Sequence, residues 1–407
     1  MLTLKLAWRN IWRNKRRTLI TMSSIVIAVL LSAIMRSMQE GQYEMMINTT
    51  VGSYSGYIQV HGEGYWDDKT LDNSFEASDS LMQTLSEPDG VSAVVPRIES
   101  FALGAGKKQS RPVMVMGTDV EGEQQIIEPQ RRLQSGSYFE NNSERAVLVG
   151  KDVLKRLNLQ VGDSLVMLGQ GFRGMSATGL YPIKGTVSLT NPEMNRSLVM
   201  MPLYTAQEFL AAEGRLTTAA LLVENSEQID PTLQSLQEKL PSDTYEVMGW
   251  RELMPELVQA IDIDRVSGYI MLAVLYMVVG FGILGTVLMM VTERTYEFGI
   301  MLSVGTPRRR IAGILAIEIF FISMLGSAIG ILLSVPIAWY FTVNPIQLTG
   351  DMATYVQEFA LEAELPFSME PSLFLSQALI IFILTLFFSI IPILRASNLN
   401  PVSAMRG

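Results

Sequence analysis

Four long apolar runs interrupt an otherwise mixed chain. The first, Thr18–Met35, is bounded by Arg17 and Arg36; the second lies between Arg265 and Glu293; the third is centred on Ile319–Phe341; the fourth runs from Pro371 to Leu394. A helix rises about 1.5 Å per residue, so roughly 20 apolar residues cross a hydrocarbon core of about 30 Å. Each run is long enough to cross with some tilt. The pattern predicts membrane helices over 18–37, 266–292, 312–341 and 371–394. The first run ends in Met35, Arg36 and Met38 rather than in a small-residue cleavage site, so it reads as a retained anchor. In the third, Gly326 and Gly330 have the small-xxx-small spacing that lets helices approach closely, and Pro336 is placed to kink it.

Between the first two spans the pattern changes to short β-branched and apolar runs separated by Gly, Pro and Asp. Tyr57–Val60, Val113–Met116, Ala146–Val149, Ser164–Leu168, Tyr181–Val187, Ser197–Met201 and Thr218–Val223 read as strands. Lys151–Leu157, a segment opening at Leu203, and Asp230–Leu240 read as helices. A large α+β domain over 38–265 is therefore expected, with a subdomain of about 120–215 inserted in it. The fold class is an α-helical membrane protein with four transmembrane helices and this α+β domain between the first two.

Charge placement orients the chain. Lys5, Arg9, Arg13, Lys15, Arg16 and Arg17 precede the first span, Arg308, Arg309 and Arg310 precede the third, and Arg395 and Arg406 follow the fourth. The connection over 342–370 carries Asp351, Glu358, Glu362, Glu364 and Glu370 and no Lys or Arg. The positive-inside rule then puts the segments 1–17, 293–311 and 395–407 in the cytoplasm and the α+β domain outside. The total of 31 basic and 40 acidic residues, a net charge of −9, gives no support to nucleic-acid binding.

Composition excludes much chemistry. There are no cysteines, so disulfides, thiolate zinc sites and cysteine nucleophiles are ruled out. The only histidine, His61, is expected to be an ordinary strand or surface residue. No segment fits G-x-x-x-x-G-K-[ST]; Gly104-Ala105-Gly106-Lys107-Lys108 lacks the upstream glycine and the hydroxyl residue. G-x-S-x-G is also missing, which disfavours a membrane-anchored hydrolase.

Three segments carry a family pattern. Ala7-Trp8-Arg9-Asn10-Ile11-Trp12-Arg13-Asn14-Lys15-Arg16-Arg17-Thr18 resembles the A-x-R-N-l-x-R-x-x-x-R-T entry of the FtsX-like, MacB-type permeases of ABC transporters, which include the lipoprotein-releasing permeases. Glu293-Arg294-Thr295-Tyr296-Glu297-Phe298-Gly299 through Gly305-Thr306-Pro307-Arg308-Arg309-Arg310-Ile311 resembles the family's cytoplasmic E-R-x-x-E-[IF]-G segment. The end, Ala396 to Arg406, is similar to its A-x-x-x-x-P-x-x-A-L-R terminus, with Met405 in the leucine place.

The resemblance implies a non-catalytic permease subunit. Only 17 residues precede the first predicted span, so the ATPase, with its ATP and magnesium, is expected to be a separate cytoplasmic dimer. No cofactor or metal is expected in this chain. The expected partners are that ATPase, a second permease copy or paralogue, a periplasmic carrier or adaptor, and membrane lipids. Glu293, Arg294, Glu297, Phe298, Gly299, Gly305, Arg308 and Arg309 are the candidate ATPase-coupling residues, and Arg9, Asn10, Arg13 and Arg17 a candidate cytoplasmic interface. Apolar residues of the 293–311 connection would enter an ATPase groove or the membrane interface while its charges meet charged partners. Met35, Met38, Met271 and Met277 are candidates for contact with lipid chains of a substrate. The function expected is lipoprotein release from the inner membrane. The alternatives are efflux through an adaptor and outer-membrane channel, or mechanotransmission to a periplasmic regulator.

Overall fold

The computed structural model of the chain describes residues 9, 13, 15–107, 109–189, 191–350, 353 and 363–399. Asn10, the acidic residues Asp351, Glu358 and Glu362, and the terminus from 400 onward lie outside the described residues. The chain divides into two compact units, one of Met1–Met45, Ala260–Leu348 and Glu364–Gly407, the other of Met46–Gln259 and Thr349–Ala363.

The first unit is helical. Four helices are long and apolar enough to cross a membrane: Lys15–Ile47, Pro255–Glu293, Arg308–Val343 and Pro371–Ser397. Proline at the first position of the second and fourth starts each where a backbone N–H would have no intrahelical acceptor. Ile25, Val29, Ile283, Val287, Ile319, Ile322 and Ile381 from the four helices share one core. Gly326 and Gly330 set the contact between the first and third helices. A Cβ at Gly330 would stand 2.6 Å from the Cβ of Val29, and one at Gly326 would stand 2.9 Å from Cγ2 of Ile25. The small-xxx-small pair therefore works in packing, as its spacing predicts.

The second unit is a sheet domain with strands β1 (Ile58–Gly62), β2 (Phe75–Glu76), β3 (Val91–Ala105), β4 (Ser110–Thr118), β5 (Leu133–Gly136), β6 (Val147–Gly150), β7 (Ser164–Gln170), β8 (Ser176–Val187), β9 (Leu198–Pro202), β10 (Arg215–Leu216), β11 (Thr218–Val223) and β12 (Tyr245–Gly249). The main sheet has the order β12-β1-β11-β3-β4-β9-β6-β8-β5, with β7 pairing both β3 and β8. Strands β5 to β9, from the segment 120–215, join the outer strands through the parallel β4–β9 and the antiparallel β3–β7 ladders, so one sheet runs through both parts. Strands β1 and β12 pair antiparallel from Ile58↔Gly249 to Gly62↔Tyr245.

Burial explains where the polar groups go. Arg97 on β3 is sealed from solvent, and its Nε donates to Glu123 at 3.0 Å while Nη1 donates to the carbonyl of Tyr54 at 2.7 Å. Thr118 donates to the same Glu123 carboxylate, so the buried charges are paired and hydrogen-bonded, which burial of an ion demands. His61 on β1 is 1% exposed, its Nδ1 donates to the Thr217 carbonyl at 2.9 Å, and its ring stacks on Tyr65 at 5.2 Å. It is a buried strand residue. Opposite in character, Phe101 and Leu103 on β3, Val166 and Leu168 on β7 and Leu180 on β8 are all 40–64% exposed. Leu103 pairs across from Leu168 and Val166 from Leu180, so these side chains form one apolar face.

Candidate coupling site

The connection between the second and third membrane helices folds as a nine-residue helix, Thr295–Ser303. Its end has a clear local cause. Thr306 N–H reaches Met301 O and Gly305 N–H reaches Leu302 O, both at 3.0 Å, the two bonds of a Schellman motif. That motif needs a left-handed residue, and Gly305 has φ +91°. Pro307 follows, which cannot continue a helix, and Arg308 opens the third long helix.

Phe298 holds the short helix against the bundle. It is 1% exposed and packs with Val291, Ile311, Leu315 and Ala396, from the second, third and fourth membrane helices. Beside it, Nη1 of Arg294 donates to Oε2 of Glu318 at 2.7 Å, and the two side chains are only 4% and 2% exposed. The Arg294 guanidinium also lies 5.1 Å from the centre of the Phe298 ring. Its Nε donates to Oε2 of Glu297 at 3.4 Å, and the same oxygen accepts from Nη2 of Arg13 at 3.1 Å. One ionic chain therefore runs from the N-terminal segment through the short helix into the third membrane helix.

The candidate coupling residues fall into two sets. Arg294, Phe298 and Gly299 are turned inward, where they make the joint rather than a surface. Glu293, Glu297, Gly305, Arg308 and Arg309 are exposed, together with Tyr296, Ile300 and Val304, which is 82% exposed. Glu293 is engaged in an interaction of its own, and Arg308 donates to the Leu399 carbonyl at 3.5 Å. Of the N-terminal residues, Arg9 is exposed, Arg13 reaches Glu297, and Arg17 lies in the first helix. The four methionines are not grouped alike: Met38 packs between helices with Ala338 and Phe374, Met35 is half-buried, and Met271 and Met277 project from the second helix, 65% and 58% exposed.

A second polar lattice, absent from the residues predicted as sites, sits toward the other ends of the first two helices. Arg36 donates to Gln39 at 2.9 Å and pairs with Glu40 at 3.2 Å, Glu40 also receives Arg265 at 3.5 Å, and Tyr43 donates to Asp264 at 2.7 Å. Its signal in the sequence is the i, i+4 spacing of Arg36, Glu40 and Glu44, which puts three charges on one helix face.

Four apolar helices, a strand-rich domain after the first and an ion-paired helical joint after the second are the layout that the resemblance to ABC transporter permeases implies. The family description FtsX-like permease C-terminal matches residues 269–401, and MacB-like periplasmic core domain matches residues 18–239. The chain belongs to this FtsX-like family with a MacB-like periplasmic core domain, and it is a permease of the MacB and LolC/LolE type. The lipoprotein-releasing system transmembrane protein LolC of Neisseria meningitidis is 20% identical over 342 residues, 80% of this chain and 79% of that protein. LolE of Haemophilus influenzae is 23% identical over 340 residues, 80% of each. The macrolide export ATP-binding/permease protein MacB of Burkholderia pseudomallei is 22% identical over 98% of this chain, which spans 59% of that protein. The four apolar helices and the periplasmic-type domain fit an inner-membrane protein.

Proposed function

We propose that this permease couples a separate cytoplasmic ATPase dimer to the release of lipoproteins from the inner membrane, with both termini and the Thr295–Ser303 helix in the cytoplasm. The observation that carries the coupling is the sealed Arg294–Glu318 pair, because a displacement of the short helix cannot leave the third membrane helix behind without stranding a buried charge. Glu297, Ile300, Val304, Arg308 and Arg309 would offer the ATPase its surface, and ATP and magnesium would be held there, not in this chain. A second permease copy or paralogue completes the transporter.

Lipoprotein release is favoured by relatives named for it that align over about four-fifths of both chains. The exposed apolar face of Phe101, Leu103, Val166, Leu168 and Leu180 is where a carrier of acylated protein would be received. Efflux with an adaptor is the second reading, favoured by the 98% coverage of this chain in the match to a macrolide exporter. Affinity purification from native cells, followed by reconstitution with an acylated lipoprotein and ATP, separates them. Co-purification of an ATPase and ATP-dependent release of the lipoprotein support the proposal; a periplasmic adaptor with no lipoprotein release supports efflux, and the absence of any ATPase refutes both.

A further inference from the structure

A cleft of about 570 Å³ opens between the basic start of the first membrane helix and the Glu293 end of the second. Its lining combines Arg13, Lys15, Arg16 and Glu293 with the apolar side chains of Ile20 and Met289. The cations are not equivalent. Arg13 is already met by Glu297 at 3.1 Å, and Glu293, the acidic residue in the lining, has an interaction of its own. Lys15 and Arg16 are exposed and form no ion pair among the described residues.

The apolar part of the lining continues along the helices. Ile20 and Met289 are 53% and 63% exposed. Gly282, Thr286, Met289 and Glu293 are spaced at four, three and four residues, so they share one face of the second helix. A Cβ added at Gly282 or Gly285 meets nothing within 4 Å, which leaves a shallow trough leading away from the cations. Three cations against the single carboxylate of Glu293 in the lining, with exposed apolar helix beyond, suit a ligand with an anionic head and a hydrocarbon tail running along the helices.

We propose that this cleft binds a diacyl anionic phospholipid, its phosphate between Lys15 and Arg16 and one acyl chain against Met289, Gly285 and Gly282. The inference rests on the four helices lying in a bilayer and is independent of what the permease moves. A basic side chain at such a surface strengthens anionic-lipid binding roughly fivefold, so loss of both weakens it roughly 25-fold.

The test is lipid titration of the full-length permease in mild detergent, read by native mass spectrometry without any ATPase, so the result does not depend on the coupling reading. Phosphatidylglycerol is expected to bind saturably and more tightly than phosphatidylethanolamine, and Lys15→Gln/Arg16→Gln is expected to lose roughly 25-fold in affinity. Gly285→Trp, which fills the trough and leaves both cations, is expected to lose binding as well, and it keeps the test sharp if the charge variant fails to fold. Equal binding of the two lipids, unchanged affinity in both variants, or displacement of the lipid by inorganic phosphate as effectively as by the whole lipid would each overturn the proposal, the last by reducing the cleft to a phosphate site.

Discussion

Replacing Glu318 by leucine would leave the Arg294 guanidinium buried with no ion-pair partner among the described residues but Glu297, at a long 3.4 Å. The two side chains are 4% and 2% exposed, so neither recovers hydration when the other is lost. Removing one member of such a pair costs about 3–5 kcal/mol, whereas replacing both with apolar residues of similar volume is often neutral or stabilising. Arg294→Leu and Glu318→Leu are therefore each expected to destabilise by about 3–5 kcal/mol, and the double variant to recover most of that. The assay is reversible denaturant titration of the solubilised permease, followed by tryptophan fluorescence and analysed as a double-mutant cycle. Single substitutions that cost under about 1 kcal/mol, the range of exposed pairs, would refute the burial argument. So would a double variant whose cost is the sum of the two singles. The double variant also isolates the joint: it is expected to stay folded and to retain the partner's ATP hydrolysis while losing ATP-driven release.

The other predictions test single features. Gly305 has φ +91° and open space around it, so Gly305→Val is expected to cost roughly 1–2 kcal/mol at the helix end and Gly305→Asn less; equal effects in melting and coupled release would dismiss the Schellman end as a cause. Burial pushes the His61 pKa down to about 4 from an ordinary 6.5, aided by Lys69 and opposed by the Thr217 carbonyl and Glu246. The unfolded chain thus takes up a proton below about 6.5 that the folded domain takes only near 4, so about 3 kcal/mol of stability is lost as pH falls through that window. Denaturation midpoints from pH 7 to 4 check this, and His61→Phe should flatten the curve; a variant with an unchanged slope assigns the loss to other groups. Because the chain has no cysteine, Ser143→Cys and Ser303→Cys, both exposed positions, can be labelled singly with an impermeant maleimide. Ser143→Cys is expected to react in spheroplasts and Ser303→Cys only after permeabilisation, and the reverse would invert the orientation.

The fold class was legible because it rests on the coarsest signal, apolar length followed by alternation. Val113–Met116, Ala146–Val149 and Thr218–Val223 read as strands from their own composition, and they lie wholly or mostly within β4, β6 and β11. Helix ends were less legible. The second helix begins at Pro255 and the first runs to Ile47, well past the charges at Arg265 and Arg36 that close the apolar runs. Hydropathy reports where hydrocarbon would end, whereas a helix continues while its backbone bonds can form. The coupling joint was legible as a segment but not as a geometry. Glu318 could be seen as a carboxylate in need of a neighbour, yet its partner lies 24 residues away across a turn that only the Gly305 conformation specifies. The apolar character of Phe298 said that something must cover it, and sequence alone could not tell a partner's groove from the chain's own helices.

The antiparallel pairing of β1 with β12 has a mechanical consequence. In chain order β1 follows the first long helix and β12 precedes the second, and the two strands are hydrogen-bonded neighbours whose ends are tied by the Trp250 N–H bond to Tyr57 O at 2.9 Å. A tug shared equally by both helices would arrive on adjacent strands and carry the sheet as one plate. Because Ile58 faces Gly249, both crossings of the chain enter at the same end of the ladder: an unequal tug along the strands would load its rungs in shear, whereas one that parted the two helices sideways would open it from that end, rung by rung. The pairing would therefore hold the two crossings together against the first kind of motion and yield first to the second.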